Sequence, residues 1–348
     1  MTALLSGVTV LDLSGLLPGP LATWHLASLG ASVVKVESPT RGDDARVIGP
    51  TVGETSLFYA LLNEGKEVLP LELTDANDRA VFLDRVSRSD VVVESFRPGV
   101  LERLELGFER MREANPRVCL VSITGYGRDG DMARRAGHDI NFLALSGWLN
   151  DLVSGQSRPA VPNVQIADIA GGALTAAFAA VSAVLRASRT GIGCHVNISM
   201  AGVLASCNVL SLAYARAGKP PPPSGTDLLN GGVPCYGLYR TCDGRYLAVA
   251  ALESKFWDTL CAAIGRPGLA KRHWQRGQEI GGDDARAVRD ELERVFAQKP
   301  LAYWETLLAS VDCCVTPVLR MDEVLERGGG RCAIHTVAGH DTPSASVP

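Results

Sequence analysis

Five short runs rich in valine and leucine punctuate the first third of this chain: Val8 to Leu13, Val33 to Val36, Val68 to Leu73, Val91-Val92-Val93 and Arg117 to Ile123. Stretches with helical spacing stand between them, at Leu21 to Leu29, about Asp75 to Ser87, and around Glu109 to Ala114. Short apolar strands that alternate with helices predict a parallel sheet with helices on its faces. Pro18-Gly19-Pro20 ends the first strand, and Gly30 closes the helix after it. A sheet of this kind usually suggests a dinucleotide. The glycine-rich turn G-x-G-x-x-G is missing, however, and Ser14 to Pro20 carries two prolines instead. A bound nicotinamide or flavin is therefore not expected.

The 348 residues exceed what one core usually fills, so two domains are expected. Arg216 to Asp227 holds four consecutive prolines, Pro220 to Pro223, which read as a stiff extended linker. Beyond it, Tyr236 to Arg240 and Tyr246 to Ala250 flank Cys242-Asp243-Gly244-Arg245, a hairpin signal, and a helical part follows to about Glu326. The expected organisation is a Rossmann-like α/β large domain over 1–190, joined by a C-terminal segment 326–348. A helix and the Pro-rich linker follow over 191–224, then a smaller α+β domain over 225–309 and a return linker over 310–325.

A formal net charge of −4 gives no sign of a nucleic-acid surface. The nine scattered cysteines form no CxxC and read as reduced core residues. Met1 to Leu13 has no signal-peptide pattern, and the apolar run Ala173 to Leu185 is short for a membrane span. A cytoplasmic enzyme is expected, with no nucleic-acid or membrane partner.

The stretch Gly137 to Leu174 is where chemistry concentrates. It opens with Gly137-His138-Asp139-Ile140-Asn141-Phe142 and closes with Ala167-Asp168-Ile169-Ala170-Gly171-Gly172, and each end reads as a helix start. Free N–H groups and a partial positive charge at a helix N-terminus suit an anion that develops during a reaction. An imidazole and a carboxylate beside two such starts can move protons next to a carbonyl. Taken alone, the same residues also read as ordinary N-caps. His25, His195, His273, His335 and His340 read as structural or exposed.

In order and spacing, several segments together resemble the class III CoA-transferases (the CaiB/BaiF family), and within them the α-methylacyl-CoA racemase branch. They are Leu11-Asp12-Leu13 with Pro18-Gly19-Pro20, Leu29 to Glu37, Asp90 to Gly99, Leu104 to Gly107 and Asn115-Pro116-Arg117. Gly137 to Phe142 is similar to the racemases' GHDINY signature, with Phe142 in place of tyrosine. The resemblance implies a racemase or epimerase that inverts the α-carbon of a 2-methylacyl-CoA, or a related acyl thioester, through an enolate. His138 and Asp168 would be the acid/base pair, and Glu253 would arrive from the second domain beside the imidazole. It also implies an interlocked homodimer with active sites between subunits. Neither a metal nor a separate cofactor is implied, coenzyme A being part of the substrate. The alternatives are a CoA-transferase working through an acyl-Asp168 intermediate, and a non-catalytic acyl-thioester-binding protein.

The expected CoA contacts are Lys35, Arg41, Lys66, Arg97 and Arg103 for the phosphates, with Asp139 beside them. Here the chain departs from the family pattern. Ser38 stands where an arginine is usual, and Glu64 and Glu67 replace two arginines. Acid where a nucleotide phosphate is expected would repel it, so CoA with rearranged contacts and a carrier protein's pantetheine arm both stay open.

Overall fold

A computed structural model describes residues 3–152 and 159–329. They divide into two compact units, one within residues 3–213 and the other within residues 214–329.

The first unit is built on six parallel strands: β1 (Thr9–Asp12), β2 (Ser32–Glu37), β3 (Glu67–Pro70), β4 (Val91–Glu94), β5 (Cys119–Thr124) and β6 (His195–Ser199). Their order across the sheet is β3-β2-β1-β4-β5-β6. The α/β class and the parallel sheet expected from the sequence are present. Helices α1 (Pro18–Ser28), α2 (Leu57–Asn63), α3 (Ala76–Val86), α4 (Phe108–Ala114), α5 (Asp139–Leu145), α6 (Thr175–Thr190) and α7 (Met200–Cys207) accompany it.

Successive strand residues point to opposite faces, so each strand feeds two cores. Val10, Val91, Val93 and Val121 pack with Leu26, Leu143 and the alanines of α6. Leu11, Val92 and Leu120 pack on the other face with Phe82, Val86 and Met111. In α6, Ala176, Ala180, Ala183 and Ala187 recur at helical spacing and are all buried, which lets this helix approach the sheet closely. The continuous helix Ala167–Thr190 has a mean hydropathy of 1.7, so by length and composition it could cross a membrane; its buried alanine stripe is also that of a core helix.

Three boundaries differ from the sequence reading. Helix α1 starts at Pro18 rather than Leu21, because the first helical positions need no N–H donor and tolerate proline. β6 pairs with β5 from Leu120↔His195 to Thr124↔Ser199, which carries the first unit past residue 190. The stretch expected as a return linker contributes Val315–Pro317 to the second unit's sheet. The expected return of the C-terminal segment falls mostly on residues outside those described.

The second unit holds an antiparallel sheet of β7 (Tyr236–Arg240), β8 (Tyr246–Ala250) and β9 (Val315–Pro317), with β8 in the centre. Gly244, at φ +78°, makes the expected hairpin turn. Tyr239, Leu247 and Val249 pack there against Trp257, Leu292, Phe296 and Trp304 from helices α8 (Ser254–Ala263), α9 (Asp283–Phe296) and α10 (Leu301–Leu308).

Candidate active site

The sequence places a helix at Asp139, and α5 starts there with His138 as its N-cap, extended at φ −128° and ψ 176°. The turn into it is tight. A Cβ on Gly137 would lie 2.4 Å from the Tyr126 hydroxyl and 2.9 Å from Phe142, so any side chain here would have to push these rings aside. The Tyr126 and Phe142 rings meet edge to face at 5.2 Å and support this corner from below. The His138 backbone N–H donates to Asn141 Oδ1 at 3.1 Å. Its imidazole is exposed. The N–H groups of Asp139 and Ile140 have no acceptor among the described residues, so the α5 start offers free donors.

The helix that carries Asp168 begins with a wide π turn, Ala167–Leu174, and runs on as α6. Two glycines let neighbours close on this turn. A Cβ on Gly171 would lie 2.9 Å from the Met200 carbonyl oxygen, and one on Gly172 would lie 2.7 Å from Pro18 Cβ. Wide turns of this kind recur at functional sites in helices.

Asp139 joins the two helix starts. Its Oδ1 accepts from the N–H of Ala167 at 2.7 Å and from that of Asp168 at 3.0 Å. Two sequence expectations change as a result. Asp139, expected among the CoA contacts, has one carboxylate oxygen, Oδ1, committed to a helix cap. The Asp168 helix start is already occupied by that carboxylate, so α5 alone of the two keeps donors open for an anion. Burial, and then the nearby Asp139 charge, push the Asp168 carboxyl up to about 7. At neutral pH this group can both hold and release a proton.

Glu253 lies in the second unit, at the N-cap of α8, exposed and making no capping hydrogen bond.

The expected phosphate partners fall into two groups. Lys35 and Lys66 are corrected: both side chains are sealed in the first unit. Lys35 Nζ donates to the Ser14 carbonyl at 2.8 Å and pairs with Asp43 at 2.9 Å. Lys66 Nζ reaches Asp12 at 3.0 Å, the Pro20 carbonyl at 2.8 Å and Asn63 Oδ1 at 2.9 Å. All three ammonium protons of Lys66 are thereby spent. Burial alone would raise the Asp12 carboxyl, but Lys66, Lys35 and the hydroxyls of Ser14 and Thr23 outweigh it and hold it at about 2. Arg41 is exposed beside Asp44 at 3.7 Å. Arg97 and Arg103, just beyond β4, are exposed and make no side-chain ion pair or hydrogen bond among the described residues. Ser38, in place of a family arginine, donates to Glu72 at 2.8 Å.

Sequence reasoning missed a polar cluster carried by the adjacent strands β4, β5 and β6. Glu94 is buried, and its carboxyl accepts the Phe96 N–H at 2.7 Å. Burial pushes it up to about 7 against the hydrogen bonds from Ser122 and Phe96. Ser122 Oγ lies 2.8 Å from His195 Nε2, and Arg128 lies 3.4 Å from the same nitrogen while pairing with Glu102 at 2.5 Å. His195, read as structural, is a half-buried member of this cluster. A glutamate closing the all-valine run Val91-Val92-Val93-Glu94 was the available signal.

A strand order of 3-2-1-4-5-6, without a phosphate-binding glycine turn, defines an open-sheet α/β protein, and in it a raised carboxyl and an imidazole stand at linked helix starts. The chain belongs to the CoA-transferase family III, whose profile matches residues 5–339. It is 36% identical over 322 residues to the alpha-methylacyl-CoA racemase of Homo sapiens, covering 92% of this chain and 79% of that protein. To the acetyl-CoA:oxalate CoA-transferase of Acetobacter aceti it is 32% identical over 322 residues, covering 91% of this chain and 81% of that one. A crystal structure of a CAIB/BAIF family protein from Brucella suis superposes with a TM-score of 0.80 at 28% identity, covering 94% of this chain and 86% of that one. The first two of these relatives are enzymes named for acyl-CoA substrates, one a racemase and the other a transferase.

Proposed function

We propose that this protein is a racemase or epimerase that inverts the α-carbon of a 2-methylacyl-CoA, or a related acyl thioester, by 1,1-proton transfer. The observation that carries this reading is Asp168, a carboxyl raised to about 7 at a helix start linked through Asp139 to the helix start capped by His138. In this mechanism one of the two side chains removes the α-proton from one face of the substrate. The other delivers a proton to the opposite face, and the roles reverse for the other enantiomer. The charge passes through the thioester oxygen as an enolate, and the free N–H groups of Asp139 and Ile140 are donors suited to it. An imidazole and a carboxyl raised to about 7 serve as acid and base in either direction.

The reading includes a homodimer in the cytoplasm, with Glu253 of a second copy hydrogen-bonding His138 and fixing its tautomer. Arg97 and Arg103 are its phosphate partners, and coenzyme A enters only as part of the substrate.

A second reading rests on Asp168 as a nucleophile that carries CoA between carboxylic acids, and the 32% identity to an acetyl-CoA:oxalate CoA-transferase supports it. His138 favours the first reading, because anhydride formation at Asp168 needs no imidazole. The test is mass spectrometry of a 2-methylacyl-CoA incubated in D₂O, with and without acetate or succinate. Deuterium at the α-carbon with loss of stereochemical purity, independent of acceptor and abolished in H138Q, is expected. New acyl-CoA species that need the acceptor would replace the racemase reading with the transferase.

A further inference from the structure

The Asp139 side chain has no role in the proton transfer as proposed, yet it is the physical link between the two groups that carry it out. Asp139 follows His138 directly in the chain. Its Oδ1 reaches across 28 and 29 residues of sequence to the N–H groups of Ala167 and Asp168, at 2.7 and 3.0 Å. One oxygen shared between two donors fixes the first turn of the Asp168 helix relative to the first turn of α5. It also sets a carboxylate against the backbone of the residue that must carry a proton.

The surroundings leave that charge unopposed. The turn Ala167–Leu174 packs against α1, α5, α6, α7 and β6. Among titratable or charged side chains, α1 has only His25, α7 only Cys207, β6 only His195, and α6 has Arg186 and Arg189 in its last turns. His138 and Asp139 stand at the start of α5. Of all these groups, Asp139 is the one whose charge acts on Asp168. Among the described residues, no arginine or lysine contributes to the shift of the Asp168 carboxyl.

We propose that Asp139 is a positioning residue for the reaction: its carboxylate docks the Asp168 helix onto the His138 turn and sets its charge beside the buried Asp168 carboxyl. The functional part of this statement rests on the racemase reading; the electrostatic part does not. The two are separable by substitution. Asp139→Asn keeps an Oδ1 acceptor for both N–H groups and removes the charge. Asp139→Ala removes both.

The experiment is carbon-13 NMR titration of the aspartate carboxyls in the full-length protein without substrate. The Asp168 resonance is assigned by its loss in Asp168→Asn. The wild-type midpoint is expected at about 7. In Asp139→Asn it is expected about one pH unit lower, the effect of removing a close like charge, with the melting temperature held. Asp139→Ala is expected to melt earlier, since the cap is gone. In D₂O exchange assays the pH limb that reports Asp168 is expected to move with the NMR midpoint in Asp139→Asn. An Asp168 midpoint that stays in place in Asp139→Asn overturns the proposal, as does a wild-type midpoint in the ordinary carboxylate range. A midpoint that moves as expected in a protein that exchanges no α-proton sustains the role of Asp139 and removes the racemase reading instead.

Discussion

The ammonium group of Lys66 lies 3.0 Å from the Asp12 carboxylate, and neither side chain is exposed to solvent. Asp12 also accepts from the Ser14 N–H at 2.9 Å and from the Thr23 hydroxyl at 2.5 Å, so the pair sits inside a saturated network at the carboxyl end of β1. Removing one member of such a pair strands a buried charge. Lys66→Met is expected to cost about 3–5 kcal/mol of stability, whereas Lys66→Met with Asp12→Asn, which leaves no charge behind, costs clearly less. Urea unfolding of the three proteins checks this; equal losses in single and double variants would show that packing, not the charge, dominates.

Glu94 gives the stability a pH slope. Its folded carboxyl is raised to about 7 from an ordinary 4.5. Between those values the native state keeps a proton that the unfolded chain has lost, so stability falls as pH rises through this window, by at most about 3 kcal/mol. His195 acts the other way. Burial lowers its pKa from 6.5, so its contribution is lost as pH falls. Glu94→Gln removes only the first effect. The difference in unfolding free energy between Glu94→Gln and wild type is therefore expected to grow from pH 5 to pH 8, and a difference that stays constant would place Glu94 in the ordinary carboxylate range.

These two clusters also mark what the sequence could convey. The parallel sheet was legible because Val91-Val92-Val93 and its counterparts are local patterns. The helix starts at Asp139 and near Asp168 were legible for the same reason. Lys35 and Lys66 were misjudged because whether a lysine faces solvent depends on partners elsewhere in the chain: Asp43 for the first, Asp12 for the second. The capping role of Asp139 was not legible because its donors, the N–H groups of Ala167 and Asp168, lie 28 and 29 residues away in sequence. Glu94 and His195 meet only because β5 carries Ser122 between them. Long-range pairings of this kind leave no periodicity to read.

Arg103 and Lys35, both expected as phosphate partners, are separated by the fold and should differ in assay. Arg103 is exposed on the segment after β4 and carries an unspent charge, while Lys35 is buried against Asp43. Arg103→Ala is expected to raise KM for a CoA thioester several-fold and leave the melting temperature unchanged. Lys35→Met is expected to lower the melting temperature by removing a buried partner. Kinetics and thermal melts on the two variants decide it, and an unchanged KM in Arg103→Ala would remove Arg103 from the binding site.

Gly172 tests whether close packing, rather than any polar contact, places Asp168. It stands in the π turn four residues after Asp168, where α1 and α7 close on it. A Cβ there would fall 2.7 Å from Pro18 Cβ and 2.9 Å from Met200 Sδ. The methionine can swing aside, but Pro18 is held by its ring and by the first turn of α1. The turn itself must therefore move, and overpacking of this order costs about 1–3 kcal/mol. Displacement at Gly172 is transmitted to Asp168 through less than one and a half helical turns, while the Asp139 bonds hold only the first two N–H groups. Gly172→Ala is accordingly expected to lower the rate of α-proton exchange at least tenfold while leaving the Asp168 titration near its wild-type midpoint. Gly268→Ala, where a Cβ meets nothing within 4 Å, is the control expected to match wild type. Full exchange activity in Gly172→Ala would mean that the turn absorbs the methyl group without shifting Asp168, and that Gly172 does not position it.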